Sequence, residues 1–259
     1  MKIVLFTNKN KDSELSVTAR ASEILREAGI ESALYLGDPA VFEDAYAALS
    51  FGGDGTFLRC AKLAVRYGAA VLGVHMGHTG FLCRSNPDRL EELRGIASFG
   101  FTDRALLEVR LAGHEDALAV NDAVFHRGGI AQTVSLDIKV DGSSIGSFMG
   151  DGTIVSTATG STGYSFSAGG PVIDPALPVM LVTPVCAHAS RGHSFVLTPG
   201  RVLTVTPSFT EHRKVYCSID GKEPVLLKGA AEIRISKSVM RYLEPPGSGF
   251  FDTVRIHRI

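Results

Sequence analysis

Clustered cysteines and long hydrophobic runs are missing from this chain of 259 residues. The four cysteines, Cys60, Cys83, Cys186 and Cys217, lie far apart and form no CxxC pair, which argues against a zinc site or a disulfide framework. The first apolar run, residues 2–6, is too short for a signal peptide and leads into polar residues. We therefore expect reduced, mostly buried thiols in a cytoplasmic protein.

An excess of charge of either sign is also missing. Lysine and arginine number 26 and the acidic residues 27, for a formal net charge of −1, and the basic residues are scattered. This pattern argues against nucleic acid and against an anionic membrane as partners. His75, His78, His126 and His188 share no metal-ligand spacing, so we expect no metal held by protein side chains alone.

The sequence does have a clear change of pattern near residue 100. Before it, short apolar runs alternate with helical spacing, as in βαβ units around a parallel sheet. The predicted strands are 2–6, 32–36, 47–51 and 70–74, and the predicted helices are 13–28, 57–67 and 86–93. We predict an α/β domain over residues 1–100.

Beyond residue 100 the helical spacing almost disappears. Alternating apolar and polar residues, separated by AspGly turn signals, predict antiparallel strands. These predicted strands are 105–111, 133–140, 153–156, 202–206, 215–220 and 231–236. We predict a second domain of antiparallel β structure over residues 101–244.

The stretch FGGDGTFL, residues 51–58, places one carboxylate among glycines between a predicted strand and a predicted helix. Ligands of open α/β sheets bind beyond the carboxyl ends of the strands, where the backbone N–H groups of a glycine-rich turn can converge on phosphate oxygens. Gly52, Gly53 and Gly55 occupy such a place. Because GxxxxGK[ST] and GxGxxG are both missing, neither a P-loop nor a typical dehydrogenase is predicted. A tight turn with a helix-capping aspartate is the alternative interpretation.

A second unusual stretch lies between residues 157 and 167. It holds six serines or threonines, two glycines and Tyr164. This composition predicts a hydroxyl-lined loop that offers short donors and acceptors to a sugar and an aromatic face to a flat base. A Ser/Gly-rich linker is the alternative. We favour the loop, because linkers rarely carry Tyr164 and Phe166.

Three blocks together resemble the signature blocks of the NAD kinases. They are GGDGT at 52–56, AsnAsp at 121–122 and DGTIVSTATGSTGYSFSAGGP at 151–171, with further likeness in GHTGFL at 77–82 and GFFDTVR at 249–255. The resemblance implies a Rossmann-like α/β domain, then an antiparallel β-sandwich that binds NAD, in an NAD kinase/diacylglycerol kinase-like arrangement. It also implies that the tail, residues 245–259, packs back on the first domain, and that the protein is a homodimer or homotetramer.

The activity implied by the resemblance is phosphorylation of the adenosine-ribose 2′-hydroxyl of NAD, giving NADP. The phosphoryl donor is ATP or polyphosphate, and a divalent ion, expected to be Mg²⁺, binds with it. Asp54 is expected to be the general base. The residues expected to bind substrate are Gly55, Arg59, Asn121, Asp122, Asp151, Thr162, Gly163, Tyr164, Ser165, Phe166 and Ser167, and those expected to contact phosphate are Gly52, Gly53 and Thr56.

Elementary chemistry supports the role of Asp54. A ribose hydroxyl is a weak nucleophile near neutral pH, so a carboxylate that takes its proton accelerates transfer by roughly 10² to 10⁴. Alignment and charge neutralisation by glycine N–H groups and Mg²⁺ supply most of the rest. Arg59 is the nearest following cation that could meet a phosphate, and a solvated helix charge is its alternative interpretation.

Five positions depart from the usual pattern of the family. They are Asp122 where glutamate is common, Met149 where a basic residue is frequent, Ala158 where proline is usual, Gly163 where alanine is usual, and Lys222 where glutamine is common. Two rival functions stay open. A glycine-rich kinase of lipids or sugar phosphates would lack the block at 157–167. A non-catalytic dinucleotide sensor would keep the pocket but would not need Asp54.

Overall fold

Parallel strand pairing in the first part of the chain gives way to antiparallel pairing in the second. The computed structural model describes residues 1–77, 80–129, 132–188, 192–208 and 213–256. The chain folds into two compact units, one of Met1–Asp103 with the segment from Met240 onward, and a second of Arg104–Val239. The sequence predicted divisions at residues 100 and 244, a few residues away from these.

Sixteen strands lie in the described residues. They are Lys2–Thr7 (β1), Glu31–Leu34 (β2), Ala45–Gly52 (β3), Ala70–His75 (β4), Gly100–Leu111 (β5), Ala117–Ala119 (β6), Asp122–Arg127 (β7), Val134–Val140 (β8), Ser143–Gly150 (β9), Gly152–Thr157 (β10), Met180–Val185 (β11), Phe195–Leu197 (β12), Val202–Pro207 (β13), Val215–Ile219 (β14), Val225–Leu226 (β15) and Ala231–Glu244 (β16).

Helices are fewer than strands in the same described residues. The α-helices are Ser16–Glu27 (α1), Asp54–Arg66 (α2), Tyr164–Ser167 (α3) and Phe250–Ile256 (α4), and the 3-10 helices are Pro39–Phe42, Pro87–Ser98 and Thr159–Thr162. None of these helices is long and apolar enough to cross a membrane.

A parallel sheet forms the centre of the first unit. Its strands lie in the order β2-β1-β3-β4, and Tyr242 of β16 is the parallel partner of Val71 in β4. The strand order reverses between β1 and β3, and the crevice at the carboxyl ends of such strands is where open α/β sheets bind ligands. The GGDGT stretch begins at Gly52, the last residue of β3. The predicted α/β Rossmann-like architecture is confirmed.

Helix α2 begins three residues earlier than its predicted start at Phe57. The carbonyl of Gly53 accepts hydrogen bonds from the backbone N–H groups of Thr56 (2.9 Å) and Phe57 (3.0 Å), which makes Gly53 the N-cap. Asp54 is therefore the first residue of the helix rather than part of a loop before it. The predicted helix at 86–93 is also different, since residues 87–98 form a 3-10 helix.

The core of the first unit lies between the parallel strands, α1 and the 3-10 helix at 87–98. Ile24 and Leu25 of α1 pack with Leu49 and Phe51 of β3 and Leu72 of β4, and all five are fully buried. The spacing of apolar residues in α1 places them on one face, as the sequence predicted.

Two antiparallel sheets form the second unit. One has the order β12-β11-β10-β7-β14-β15, and the other contains β13, β8 and β9 with residues 231–234 of β16. Buried side chains from both sheets, such as Phe125, Leu136, Val155, Val182 and Leu203, form one continuous cluster. This two-layer arrangement confirms the predicted antiparallel β-sandwich.

The segment after Glu244 makes several contacts within the first unit. The Phe250 ring of α4 lies 5.6 Å from the guanidinium of Arg84, and Arg89 donates a hydrogen bond to the carbonyl of Pro246. Thr253 is buried. Residues 257–259 of the predicted tail lie outside the described residues.

Asp12 holds the start of α1. Leu15 has a left-handed φ of 56° and the helix begins after it, three residues later than predicted. The buried carboxylate of Asp12 accepts hydrogen bonds from Val17 N (3.3 Å), Thr18 N (2.9 Å) and Thr18 Oγ1 (2.6 Å). Burial raises the pKa of Asp12, but these hydrogen bonds outweigh it and leave the pKa below its ordinary value of 3.8.

We expect Asp12→Asn to lower the free energy of unfolding at pH 7 by about 1–3 kcal/mol, because an amide N–H₂ would face backbone donors. Since the folded pKa lies below 3.8, this stabilisation is present above that pH and is lost as pH falls through the folded value. Urea unfolding at pH 7 and pH 3 measures both. The control is Asp38→Asn, at the exposed cap of Pro39–Phe42, where asparagine caps equally well. Equal losses at the two sites would contradict this account.

Candidate functional site

Asp54 lies where β3 ends and α2 begins. Gly53 is extended (φ −107°, ψ −173°), and Asp54 then enters the first turn of the helix. The free N–H groups of a helix N-terminus carry a partial positive charge, which favours anions such as phosphate near it. Asp54 is partly exposed, and Gly53 and Gly55 on either side of it are exposed. A ligand can therefore approach both the carboxylate and the adjacent backbone.

The three glycines of the turn differ in their surroundings. A Cβ on Gly52 would lie 2.5 Å from Thr56 Oγ1, whereas a Cβ on Gly53 or Gly55 would meet no heavy atom within 4 Å. Gly52 is therefore required by packing. Thr56 is buried, and its hydroxyl accepts a hydrogen bond from Asn8 Nδ2 at 3.2 Å. The role of Gly52, Gly53 and Thr56 toward phosphate stays a prediction.

The carboxylate of Asp54 is held by the segment that follows β4. Phe81 N donates to Oδ2 at 3.2 Å and Leu82 N to Oδ1 at 3.3 Å. A Cβ on Gly80 would overlap the carboxylate, so only glycine permits this approach. These residues belong to the predicted GHTGFL block, of which His78 and Thr79 lie outside the described residues. Through these contacts the described residues of the block orient the Asp54 carboxylate.

The segment at 80–85 is itself anchored in the first unit. Tyr242 donates its hydroxyl proton to the Leu82 carbonyl at 2.9 Å, and this bond is buried. Cys83 lies against Gly73, where a Cβ would come within 2.8 Å of the Cys83 Cα. Burial, and then the nearby Asp54 carboxylate, raise the pKa of the Cys83 thiol well above its ordinary value. Cys83 is therefore a protonated thiol that can donate to Asp54.

Most of the cysteines are buried, as predicted. All four cysteines are free, and Cys60, Cys83 and Cys217 are buried, whereas Cys186 is exposed. Burial and the Asp122 carboxylate raise the pKa of Cys217 to about 12. These buried thiols are neutral at physiological pH and are poor nucleophiles.

Two arginines of the first unit differ in burial. Arg59 is exposed on α2, with its guanidinium 6.0 Å from the centre of the Phe6 ring, and its role toward phosphate stays a prediction. Arg84 is buried beneath the rings of Tyr242 (5.1 Å) and Phe250 (5.6 Å). No motif drew attention to Arg84, because a single basic residue after GFLC has no periodic signal.

Asn121 and Asp122 lie at the start of β7 in the second unit. The backbone N–H groups of Val120, Asn121 and Asp122 all donate to the carboxylate of Asp220, at 2.9, 2.7 and 3.1 Å. Thr157 holds the other side, since its N–H donates to the Asn121 carbonyl (2.8 Å) and its hydroxyl to the Val120 carbonyl (2.7 Å). Sequence reasoning read Asp220 only as a turn residue and missed this contact.

The hydroxyl-rich stretch is not the loop that its composition predicted. Residues 159–162 form a 3-10 helix and 164–167 one turn of α-helix. Several hydroxyls bond within the protein: Ser161 Oγ accepts from Ile173 N at 3.0 Å, and Ser165 Oγ pairs with Thr183 Oγ1 at 2.8 Å. The physical reason is that buried backbone and hydroxyl groups must find partners where no water reaches them.

The exposed side chains of the stretch form a smaller set than predicted. Tyr164 is 49% exposed and Phe166 38%, and Ser167 is also exposed, whereas Thr162 and Gly163 are partly exposed. Ser165 is fully buried, so we no longer expect its hydroxyl to touch a substrate. The aromatic faces, rather than a row of hydroxyls, are what the segment offers to a ligand.

Asp151 lies between β9 and β10 and is engaged by one arginine. Arg127 Nε lies 2.8 Å from Oδ1, and its Nη2 donates to Oδ2 at 3.3 Å. Arg127 Nη1 also donates to the Gly129 carbonyl. Asp151 therefore presents a neutralised pair rather than a bare carboxylate. Sequence reasoning missed Arg127, which is 24 residues away in the chain.

The described residues contain side chains of the types that ligate metals, but not in groups. No group of three or more histidine, cysteine, aspartate or glutamate side chains there could hold a metal ion. His75, His126 and His188 are described, and His78 lies outside the described residues. Mg²⁺ often keeps several waters and binds one or two carboxylates together with substrate phosphates, so a cage of protein ligands is not required.

Comparisons with known proteins agree along nearly the whole chain. Models of the ATP-NAD kinase N-terminal and C-terminal domains match residues 4–95 and 120–243. The NAD kinase of Acetivibrio thermocellus is 31% identical and that of Ruminiclostridium cellulolyticum 30%, over 98% of this chain and 96% of each relative. These matches define a phosphotransferase. The chain belongs to the NAD kinase family, as the three sequence blocks predicted.

Solved structures show the same fold. An NAD kinase from Archaeoglobus fulgidus in complex with ATP has a TM-score of 0.86 at 24% identity, with 100% of both chains covered. A yeast NADH kinase complexed with NADH also has a TM-score of 0.86, at 19% identity, over 100% of this chain and 88% of its own.

The contrast between the glycines gives a test of the turn. We expect Gly52→Ala to lower the free energy of unfolding by about 1–3 kcal/mol, because its Cβ would meet Thr56 Oγ1 at 2.5 Å. Gly55→Ala should keep or slightly raise stability, since it places alanine in the first turn of α2 in open space. Thermal unfolding of both variants measures this. If Gly55→Ala were destabilised and Gly52→Ala were not, Gly55 rather than Gly52 would be the glycine that packing requires.

Proposed function

We propose that the protein phosphorylates the adenosine-ribose 2′-hydroxyl of NAD to form NADP, with ATP or another phosphoryl donor. The observation that carries this proposal is the carboxylate of Asp54, which is oriented by Phe81 N and Leu82 N at the N-terminus of α2. Membership of the NAD kinase family supports the choice of substrate. The ATP and NADH held by the two solved relatives support the classes of donor and acceptor.

Asp54 acts as the general base in this proposal. The ribose 2′-oxygen attacks the γ-phosphorus of ATP while the bond from that phosphorus to the bridging β-phosphate oxygen breaks. The hydroxyl proton passes to a carboxylate oxygen of Asp54, and ADP leaves. A positioned carboxylate contributes roughly 10² to 10⁴ to the rate. The two backbone donors keep the carboxylate in one orientation, so that it need not reorient before it accepts the proton.

The glycine turn and the helix end serve the phosphates of the donor. Gly53 and Gly55 have open space where a side chain would stand, so a phosphate can approach their backbone closely. The N-terminus of α2 supplies partial positive charge at that point. Arg59 adds a full charge on the exposed side of the helix. Gly52 and Thr56 support the turn from within.

Asn121 and Asp122 recognise the nucleoside portions of NAD in this proposal. Gly163 allows close approach of the nucleotide, and Tyr164 and Phe166 offer ring faces on which a base can stack. Thr162 and Ser167 supply hydroxyls to the sugar or phosphates, and the Asp151–Arg127 pair closes the pocket. Ser165 keeps a positioning role through Thr183.

A divalent ion, with Mg²⁺ as the expected species, binds with the phosphates of the donor. Such an ion supplies charge neutralisation on the phosphoryl oxygens during transfer. The partly exposed carboxylate of Asp54 beside open glycines fits an ion that is carried mainly by substrate oxygens. A cytoplasmic location and a homodimeric or homotetrameric assembly complete the proposal.

Asp54→Asn tests the central residue. The amide keeps the size of the side chain but cannot accept the proton, so turnover should fall by roughly 10² or more while NAD binding persists. Its N–H₂ group also faces one of the two backbone donors, Phe81 N or Leu82 N, so a small loss of stability is expected as well. NADP formation measures turnover, and calorimetry on the same variant measures NAD affinity. Near-normal turnover would remove Asp54 from the chemistry. Loss of folding would return GGDGT to the status of a turn.

Tyr164→Ala tests the aromatic face. Loss of a stacking contact should weaken NAD binding by about 1 kcal/mol, or roughly fivefold, with little change in melting temperature. Tyr164→Phe is the matched control, because it keeps the ring and should bind NAD nearly as the unaltered protein does. An unchanged Michaelis constant for NAD in the alanine variant would make the segment a structural feature.

A further inference from the structure

The turn between β14 and β15 holds a carboxylate that the turn itself does not need. Asp220 and Gly221 have φ of 49° and 68°, the left-handed conformation of a tight hairpin turn, which glycine and asparagine adopt as readily as aspartate. The side chain of Asp220 nevertheless reaches the start of another strand. There it accepts hydrogen bonds from the three successive N–H groups of Val120, Asn121 and Asp122.

Two clamps hold the backbone of the Asn121–Asp122 motif. Asp220 accepts from the three N–H groups, and its own N–H donates to the Asp122 carbonyl at 3.0 Å. Thr157 donates to the carbonyls of Val120 and Asn121. Buried peptide groups must be paired, so these bonds fix the backbone on both sides and thereby fix where the two side chains begin.

The neighbouring residues leave the motif little freedom to shift. A Cβ on Gly160 would overlap the carbonyl oxygen of Asn121, so the hydroxyl-rich segment rests directly on the motif. Asp122 is buried, and the buried Oδ1 of Asn121 has no hydrogen-bond partner among the described residues. An amide oxygen held in place without a partner is suited to accept a hydrogen bond from a ligand.

A second turn of the same kind shows that the reach of Asp220 is specific. Asp141 and Gly142 have φ of 50° and 81°, in the turn between β8 and β9 of the same unit. There the carboxylate accepts from Val202 N at 2.9 Å and pairs with Arg201 at 2.6 Å. Its partners belong to the start of β13 and not to the Asn121–Asp122 motif.

We propose that Asp220 is a positioning residue for NAD recognition, whose carboxylate fixes the backbone of residues 120–122 so that Asn121 and Asp122 meet the nucleotide in one geometry. The inference rests on the proposed function, because it assigns these two side chains to NAD. Asp220 does not touch the substrate. Its effect therefore falls on NAD binding and not on transfer of the phosphoryl group.

Asp220→Asn tests the proposal, since asparagine keeps the left-handed turn but sets an N–H₂ group against at least one of the three donors. We expect the Michaelis constant for NAD to rise about tenfold, the effect of roughly one charge-assisted hydrogen bond, with kcat within about twofold and the constant for ATP unchanged. Asp141→Asn is the matched control and should leave all three unchanged. Should the asparagine variant fail to fold, the same constants are measured on Asp220→Gly, because glycine also adopts this left-handed φ.

Amide hydrogen exchange separates this proposal from the proposed function. Whatever the activity, the peptide covering residues 120–122 should exchange faster in Asp220→Asn and not in Asp141→Asn. If exchange is faster in Asp220→Asn but the unaltered protein makes no NADP, Asp220 does fix the backbone of residues 120–122 and the proposed kinase activity is wrong. The role of Asp220 would be overturned if amide exchange at residues 120–122 were unchanged in Asp220→Asn, or if Asp141→Asn had the same effects. It would also be overturned if an active Asp220→Asn enzyme kept its Michaelis constant for NAD, or lost only kcat.

Discussion

Carboxylates that accept backbone N–H groups organise both units of the protein. A peptide N–H that is buried without a partner costs free energy, and an ionised carboxylate is the strongest acceptor that a side chain can offer. Asp54 accepts hydrogen bonds from two such groups after β4, and Asp220 accepts from three at the start of β7. In each case the bonds join segments that are far apart in sequence. The candidate chemistry and the candidate recognition both depend on these pairs.

Glycines make such close contacts possible, because they have no side chain at the point where another group approaches the backbone. Gly80 admits the Asp54 carboxylate, Gly160 admits the Asn121 carbonyl, and Gly52 admits Thr56. Gly53 and Gly55 are different, since the space beside them is open. The same residue type therefore serves packing in one group and ligand access in the other, and sequence alone does not distinguish the two uses.

Local patterns predicted the fold well. The alternation of strands and helices before residue 100, and the period-two strands after it, reflect local burial that each segment carries in its own residues. The roles of Asp220, Arg127 and Gly80 could not be predicted, because each depends on a partner tens of residues away. The prediction of a hydroxyl-lined loop was wrong because composition does not show which hydroxyls the protein itself uses. Ser161 and Ser165 form hydrogen bonds with buried groups of the protein.

The claim that a phosphoryl group is transferred to one hydroxyl of NAD is tested most directly by locating that group. The full chain is incubated with NAD, ATP labelled in the γ-phosphate and Mg²⁺, and the product is analysed by mass and by ³¹P NMR. The expected product is labelled and one phosphate heavier than NAD, with a phosphomonoester on the 2′-oxygen of the adenosine ribose. Label on any other position, or a protein that binds NAD and transfers no label to it, would contradict it.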